Sequence, residues 1–389
     1  MTRILLAAAL AATLAAGAWA LVLRASDDDA SRGVWVGALE DVVKQPDPAA
    51  AEERVALATR AGFDALAITT LWSPGQTDPD PAELGLLKNV AEASRRAHMK
   101  LLLSVFGARP RYAPMDAASQ DDYAAYVARL ARELPSVRNF VIWNEPNLNG
   151  FWLYQFDSAG SDIASPAYTS LLARSYDALK AVSPRIVVYG GALAPRGDDN
   201  PDAPRKTQSP TAFLRGVGRA YRASGRTKPI MDVFAIHPYN VRSAIPPTKT
   251  HPLGTSIGIA DYDKLVGLLK EAFDGTEQPG SEVPIAYTEF GVQTTIPPDH
   301  IEPYTDLQSP LASDAVDEET QAEYYRQAFQ LASCQPTVVG ILIFHLLDEA
   351  DLNRWQSGPY YADGEPKSSL DAIREAALAA RKGELDGCP

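Results

Sequence analysis

Cysteine, methionine and histidine are scarce in this chain, with two, four and five copies among 389 residues. The histidines stand at 98, 237, 251, 300 and 345, and no pair has the His-x-His or His-x-x-x-His spacing of a dedicated zinc site. Basic residues are also short. Lys and Arg number 36 against 49 Asp and Glu, a net charge of −13. That balance speaks against nucleic acid as a partner, because phosphate binding depends on clustered Lys and Arg, whereas neutral ligands such as sugars fit. No Gly-x-Gly-x-x-Gly turn follows a strand and no phosphate-cradling glycine loop is present, so neither a dinucleotide nor any other cofactor is implied. Internal repeats are absent too.

One long apolar run is present, residues 4–23, behind Met1-Thr2-Arg3 and ahead of Arg24 and Asp27-Asp28-Asp29. Residues 1–26 therefore read as an export segment outside the fold. Ala18-Trp19-Ala20 offers a small-x-small cleavage site, yet the run also has about the 20 residues that span a bilayer. A cleaved signal peptide and a retained membrane anchor both stand. The expected location is secreted or extracytoplasmic. An exported chain with two cysteines can pair them, and Cys334 and Cys388 fall near the ends of the last two predicted helices. Such a bridge is worth about 4 kcal/mol in the chain-entropy model.

From residue 34 onward, short β-branched runs alternate with amphipathic stretches. The predicted strands are 34–38, 63–69, 100–106, 139–143, 185–190, 233–236, 285–289 and 338–344. Helices are predicted at 48–61, 82–97, 119–134, 166–182, 209–224, 261–273, 318–333 and 368–382. Eight strand-helix units suggest one (β/α)₈ barrel over residues 33–389, with an open doubly wound sheet as the alternative. Helix-to-strand links such as Ala61-Gly62 are short. Strand-to-helix links such as 144–165 and 290–317 are long, which puts elaborated loops and the site on the face at the strand C-termini.

Two carboxylates stand at strand ends, Glu145 in Trp143-Asn144-Glu145-Pro146-Asn147 and Glu289 in Tyr287-Thr288-Glu289-Phe290-Gly291. An acid between Trp-Asn and Pro-Asn departs from any solvent-face pattern. A pair of carboxyl groups facing one cavity is what cleavage of a glycosidic bond needs.

The first motif resembles the fourth-strand acid/base segment of the clan A glycoside hydrolases, and the second resembles their seventh-strand nucleophile segment. Between them, Ala235-Ile236-His237-Pro238-Tyr239 is similar to the sixth-strand His-x-Tyr segment of several such families. The resemblance covers nearly all of the chain beyond the export segment. It implies a retaining glycosidase of xylosidase, arabinofuranosidase or endoglucanase type acting on a poly- or oligosaccharide. Glu145 would be the acid/base, with its pKa raised by burial against Trp143 or Phe151. Glu289 would be the nucleophile, kept ionised by Tyr239 or His237, and Asn144 would bind the sugar. Aromatic stacking partners are expected at Trp72 and Trp152, with Tyr154, Trp355 and Tyr360 as further candidates.

The chain also departs from the clan. Strand two ends Ile68-Thr69-Thr70-Leu71-Trp72 without the frequent Arg, for which Arg109 is the candidate substitute. Strand eight ends Ile343-Phe344-His345 rather than in Trp. Asp348, Glu349 and Asp351 read as loop surface with a cation site as the alternative. A non-catalytic carbohydrate-binding barrel is the competing function.

Overall fold

The computed structural model describes residues 33–308, 314–385 and 387. Residues 1–26, with their apolar run, and Cys388 lie outside the described residues. Eight parallel strands close in chain order into a barrel. They are β1 (Trp35–Leu39), β2 (Ala65–Trp72), β3 (Lys100–Gly107), β4 (Asn139–Ile142), β5 (Val187–Leu193), β6 (Val233–Ile236), β7 (Ile285–Phe290) and β8 (Val338–Phe344). Each is followed by a helix: α1 (Pro48–Arg60), α2 (Pro81–Arg96), α3 (Ala117–Glu133), α4 (Ala164–Val182), α5 (Pro210–Ala223), α6 (Tyr262–Phe273), α7 (Glu318–Cys334) and α8 (Leu370–Lys382). Among the described residues no helix is long and apolar enough to cross a membrane.

The helices start where local chemistry directs. Asp47, Asp80, Asp116, Ser209 and Asp317 each accept a backbone N–H of the first turn, and proline opens α1, α2 and α5. Along the strands, alternate residues serve two different cores. Leu66 and Ile68, Leu101 and Leu103, and Phe140 and Ile142 pack outward under the helices. Ala65 and Ala67, Leu102 and Val141 point inward, where they meet Trp35, Tyr189 and Leu342. Large inward rings need small neighbours. A Cβ on Gly340 would fall 1.9 Å from the Trp35 ring, so only glycine fits where β8 passes it.

The predicted units and the observed ones coincide, with small shifts at the ends. Strand β2 runs on to Trp72 because its last residues pair in register with β3, Trp72 opposite Gly107. Strand β5 extends to Leu193 through a bulge beside Gly191. Cys334 ends α7 and is disulfide-bonded.

Candidate active site

Strict alternation would point Glu145 inward with Val141 but would send Glu289 outward with Ile285 and Tyr287 and bring the Trp143 ring inward, and the backbone breaks it in two places. At the end of β4, Trp143 and Glu145 adopt left-handed conformations (φ 70° and 40°). Such conformations cost a non-glycine residue roughly 1–2 kcal/mol. They turn the Trp143 ring outward into the core while the Glu145 carboxyl keeps the cavity side. The Glu145 N–H is then held by the Ala192 carbonyl at 2.9 Å, in the β5 bulge. In β7 the register against β8 shifts between Tyr287 and Phe290, which re-aims Glu289.

These strand ends face a cavity of about 1100 Å³. Glu145 Oε1 lies 3.1 Å and Glu289 Oε2 3.5 Å from His237 Nδ1. One ligating atom from each of these three side chains lies within 4.8 Å of the others. Tyr239 donates its hydroxyl to Glu289 Oε2 at 3.1 Å. Asn144 lines the cavity next to Glu145. The structure thus brings Glu145, Asn144, His237, Tyr239 and Glu289 together.

The electrostatics differ from the expectation in one respect. Burial pushes the Glu289 carboxyl up, the nearby Glu145 charge adds to this, and His237 and the Tyr239 hydroxyl oppose it. Burial alone would depress His237, but the two carboxylates outweigh it and raise its pKa. Burial beside the same carboxylates drives the Tyr239 phenol well above its ordinary value, so it stays a donor. Glu145, His237 and Glu289 also have the composition of a metal-ligand set. The atoms that could hold an ion are those available to a sugar.

Two expected stacking residues are corrected. Trp72 and Trp152 are fully buried, with 0% exposure, and neither lines the cavity. Their rings belong to a chain of edge contacts, Trp72 to Trp143 at 6.5 Å, Trp143 to Trp152 at 5.1 Å and Trp152 to Tyr168 at 5.9 Å. Their indole N–H groups are occupied, by the Gln76 carbonyl and by Met115 Sδ. They support the acid strand from behind. Tyr360 is buried as well, donating to the Leu57 carbonyl, and Tyr154 is exposed away from the cavity wall.

The faces a sugar would meet are others. Phe106 and Phe151, in edge contact at 6.2 Å, stand near Glu145. Trp355, in the loop after β8, packs on Tyr239 at 5.3 Å and on Phe344 at 5.5 Å. It supplies an indole where strand eight itself has none.

Arg109 is exposed and off the cavity wall, so it does not replace an arginine at the end of β2. That corner holds Thr69, whose N–H and hydroxyl both go to the Asp41 carboxylate, and Lys44 bridges Asp41 to Glu83. His345 follows β8 into the cavity, its Nδ1 donating to the Leu39 carbonyl at 3.1 Å. Of the acidic trio after β8, Asp348 is not loop surface. It is fully buried against Lys367, with Nζ 2.8 Å from Oδ1. Glu349 lines the cavity.

Sequence reasoning missed Asp41, Phe106 and the wall residues Arg196, Arg205, Arg242 and Arg354, because it weighed strand-end motifs and not the loops between them. It also passed over Gly254-Thr255-Ser256-Ile257-Gly258, which has the spacing of a hydrolase nucleophile elbow. That run lies in the loop before α6 rather than on a strand-turn-helix, and the Ser256 carbonyl accepts Lys264.

No family model matches the chain, and comparison with curated proteins finds no match. Comparison of folds does find relatives. A GH39 enzyme from Xanthomonas axonopodis pv. citri superposes with a TM-score of 0.54 at 14% identity, over 88% of this chain and 66% of that one. This chain therefore spans just under two thirds of that enzyme. β-Glycosidase BGL167 gives 0.56 at 15% identity, covering 90% of this chain and 96% of its own. A GH39 β-xylosidase from Caulobacter crescentus gives 0.53 at 17% identity, over 88% and 71%. At such identities the likeness is one of fold. The barrel is the one these glycosidases use.

Proposed function

We propose that the protein is a retaining glycoside hydrolase, with Glu289 as nucleophile and Glu145 as acid/base. The observation that carries this reading is the approach of the two carboxyl groups. Oxygens of Glu145 and Glu289 lie within 4.8 Å of each other, astride His237. A closest approach of single oxygens this short fits the about 5–5.5 Å between carboxyl groups that retention uses better than the about 6.5–9.5 Å that leaves an inverting pair room for water. In the first step a Glu289 oxygen attacks the anomeric carbon while Glu145 gives its proton to the departing glycosidic oxygen. In the second, Glu145 takes a proton from water, and the resulting hydroxide displaces Glu289 and frees the sugar. Tyr239 is bonded to Glu289, which favours ionisation of the nucleophile. Asn144 is placed for a hydroxyl next to the anomeric carbon. Trp355, Phe106 and Phe151 provide apolar faces for sugar rings.

The substrate is a poly- or oligosaccharide. We further propose that the protein works outside the cytoplasm. The composition of residues 1–26 and the disulfide at Cys334 support this, because such bonds persist in oxidising compartments.

The test is a screen of aryl glycosides and polysaccharides with wild type, Glu145→Gln and Glu289→Gln. For the substrate found, both variants should lose about 10³-fold or more in kcat, and proton NMR should show the first product with retained anomeric configuration. A substrate that either variant cleaves as fast as wild type would refute the assignment, and an inverted product would refute the mechanism.

A further inference from the structure

The cavity wall has a second chemical character, set by Arg196, Arg205, Arg242 and Arg354. All four are exposed residues. On the helical ring, Arg174, Arg215, Arg226 and Arg326 each hold an Asp or Glu. Among the described residues, the four cavity arginines form no ion pair. Arg196 donates one N–H to the Asn240 carbonyl at 3.2 Å, which ties the loop after β5 to the loop after β6 and leaves most of the guanidinium free.

The acids of the same wall have partners other than these arginines, although Asp314 and Glu349 find theirs in the backbone next to Arg242 and Arg354. Asp41 is held by Lys44 and Thr69, Asp314 accepts the Ser243 N–H, and Glu349 accepts the Trp355 N–H. Only Asp198 of the β5 loop stands among the arginines as an exposed carboxylate. Unpaired cations gathered at one mouth repel one another, and an anion placed between them relieves that repulsion. The protein as a whole carries −13 and repels polyanions at long range. A local cationic wall is what such a protein requires to admit one.

Position then says which part of the ligand is anionic. The acid that protonates the leaving oxygen stands on the leaving-group side of the bond. Glu145 ends β4, and the next loops round the barrel, after β5 and β6, carry Arg196, Arg205 and Arg242. We infer that the leaving-group side of the cavity binds an anionic stretch of glycan, with carboxylate or sulfate groups taken by Arg196, Arg205 and Arg242. The guanidinium fork suits both groups, since each offers two oxygens in its plane. The orientation rests on the glycosidase reading; the anion site itself does not.

The experiment uses full-length Glu289→Gln protein, which binds without turnover, and calorimetry with three oligosaccharides of similar length. One is an oligogalacturonate, one a sulfated chondroitin fragment and one a neutral xylo-oligosaccharide. At least one anionic probe should bind about tenfold or more tighter than the neutral one, and the preference should shrink between about 0.05 and about 0.5 M salt. Adding R196Q, R205Q and R242Q together should remove the preference and leave neutral binding and the melting temperature unchanged. Tight binding of the oligogalacturonate identifies carboxylate as the group taken, and binding of the chondroitin fragment without the oligogalacturonate identifies sulfate, since the chondroitin fragment carries both groups. Equal binding of all three probes, no binding of either anionic one, or a preference that survives the triple change would overturn the inference. Anionic binding by a wild type that hydrolyses none of the probes or any aryl glycoside would instead sink the glycosidase reading and leave the anion site standing.

Discussion

Removing Lys367 alone should be among the most damaging single changes in the barrel, and removing it together with the charge of Asp348 should not. The two side chains have no exposed surface and meet at 2.8 Å. Asp348 also accepts the Gly358 N–H at 3.0 Å and the Tyr304 hydroxyl at 2.7 Å, while Lys367 donates to the Thr294 hydroxyl at 2.7 Å. The group thus fastens the loops after β7 and β8 to each other. Burial pushes the Asp348 carboxyl up and the Lys367 amine down, and each charge partly offsets this for the other. For both groups the charged form is therefore less favoured folded than unfolded. The pair itself adds little net stability, and the damage comes from breaking it. K367M leaves a buried carboxylate without a cation, a loss of about 3–5 kcal/mol. D348N/K367M keeps an amide oxygen as acceptor for the Gly358 N–H, turns its amide N–H₂ toward the Tyr304 hydroxyl oxygen, and should recover most of that. The loss in K367M should also shrink as pH falls toward the unfolded carboxyl value near 4, because a protonated Asp348 needs no counter-charge. Urea unfolding of the three proteins at neutral and mildly acidic pH measures all of this. A K367M protein within about 1 kcal/mol of wild type at neutral pH, or a double variant no better than the single, would refute the reasoning.

Tyr239→Phe keeps the ring against Trp355 and deletes the donor to Glu289. Losing a hydrogen bond to a charged group costs about 1.5–3 kcal/mol, so the acidic limb of kcat/KM should move up by roughly 1–2 pH units. An unmoved limb, or one moved downward, would count against the role given to the hydroxyl. Glu289→Gln should melt higher than wild type at pH 7. A carboxyl whose pKa is raised by folding opposes folding once ionised, so the advantage should fade as pH falls through the raised folded value and be gone below the unfolded value near 4.5. Thermal melts across that range would show it, and a variant less stable at pH 7 would contradict the burial assigned to Glu289.

The fold was legible because two periodicities coincide with loop length. Residues such as Leu101 and Leu103 mark the outward face of a strand, and the long connections after β4, β5, β6, β7 and β8 all emerge on one face. Glu145, His237, Tyr239 and Glu289 were legible for the same reason, as polar residues closing apolar strands. Trp72 and Trp152 were not. Their proximity to the acid strand is real, but which way a ring faces there depends on the left-handed turn at Trp143, and no residue preference announces a bulky side chain in that conformation. The arginine wall was hidden because its members come from three loops far apart in sequence. Its charge shows only where the chain brings those loops to one rim.

The ring chain behind β4 also separates two tasks within one cavity. Trp143 lies in the middle of that chain, and its indole N–H holds the Phe151 carbonyl at 3.2 Å, so the acid strand and the adjoining wall are anchored in one block of core. The loop bearing Arg196 is tied to that block at both ends, since the Asn147 amide bonds Ala194 and the Gln208 carbonyl, whereas the loops bearing Arg242 and Trp355 lie outside it. Those two loops can be lengthened, shortened or exchanged while Glu145 keeps its place, so a barrel of this build can change what its mouth accepts without rebuilding its pair of carboxylates.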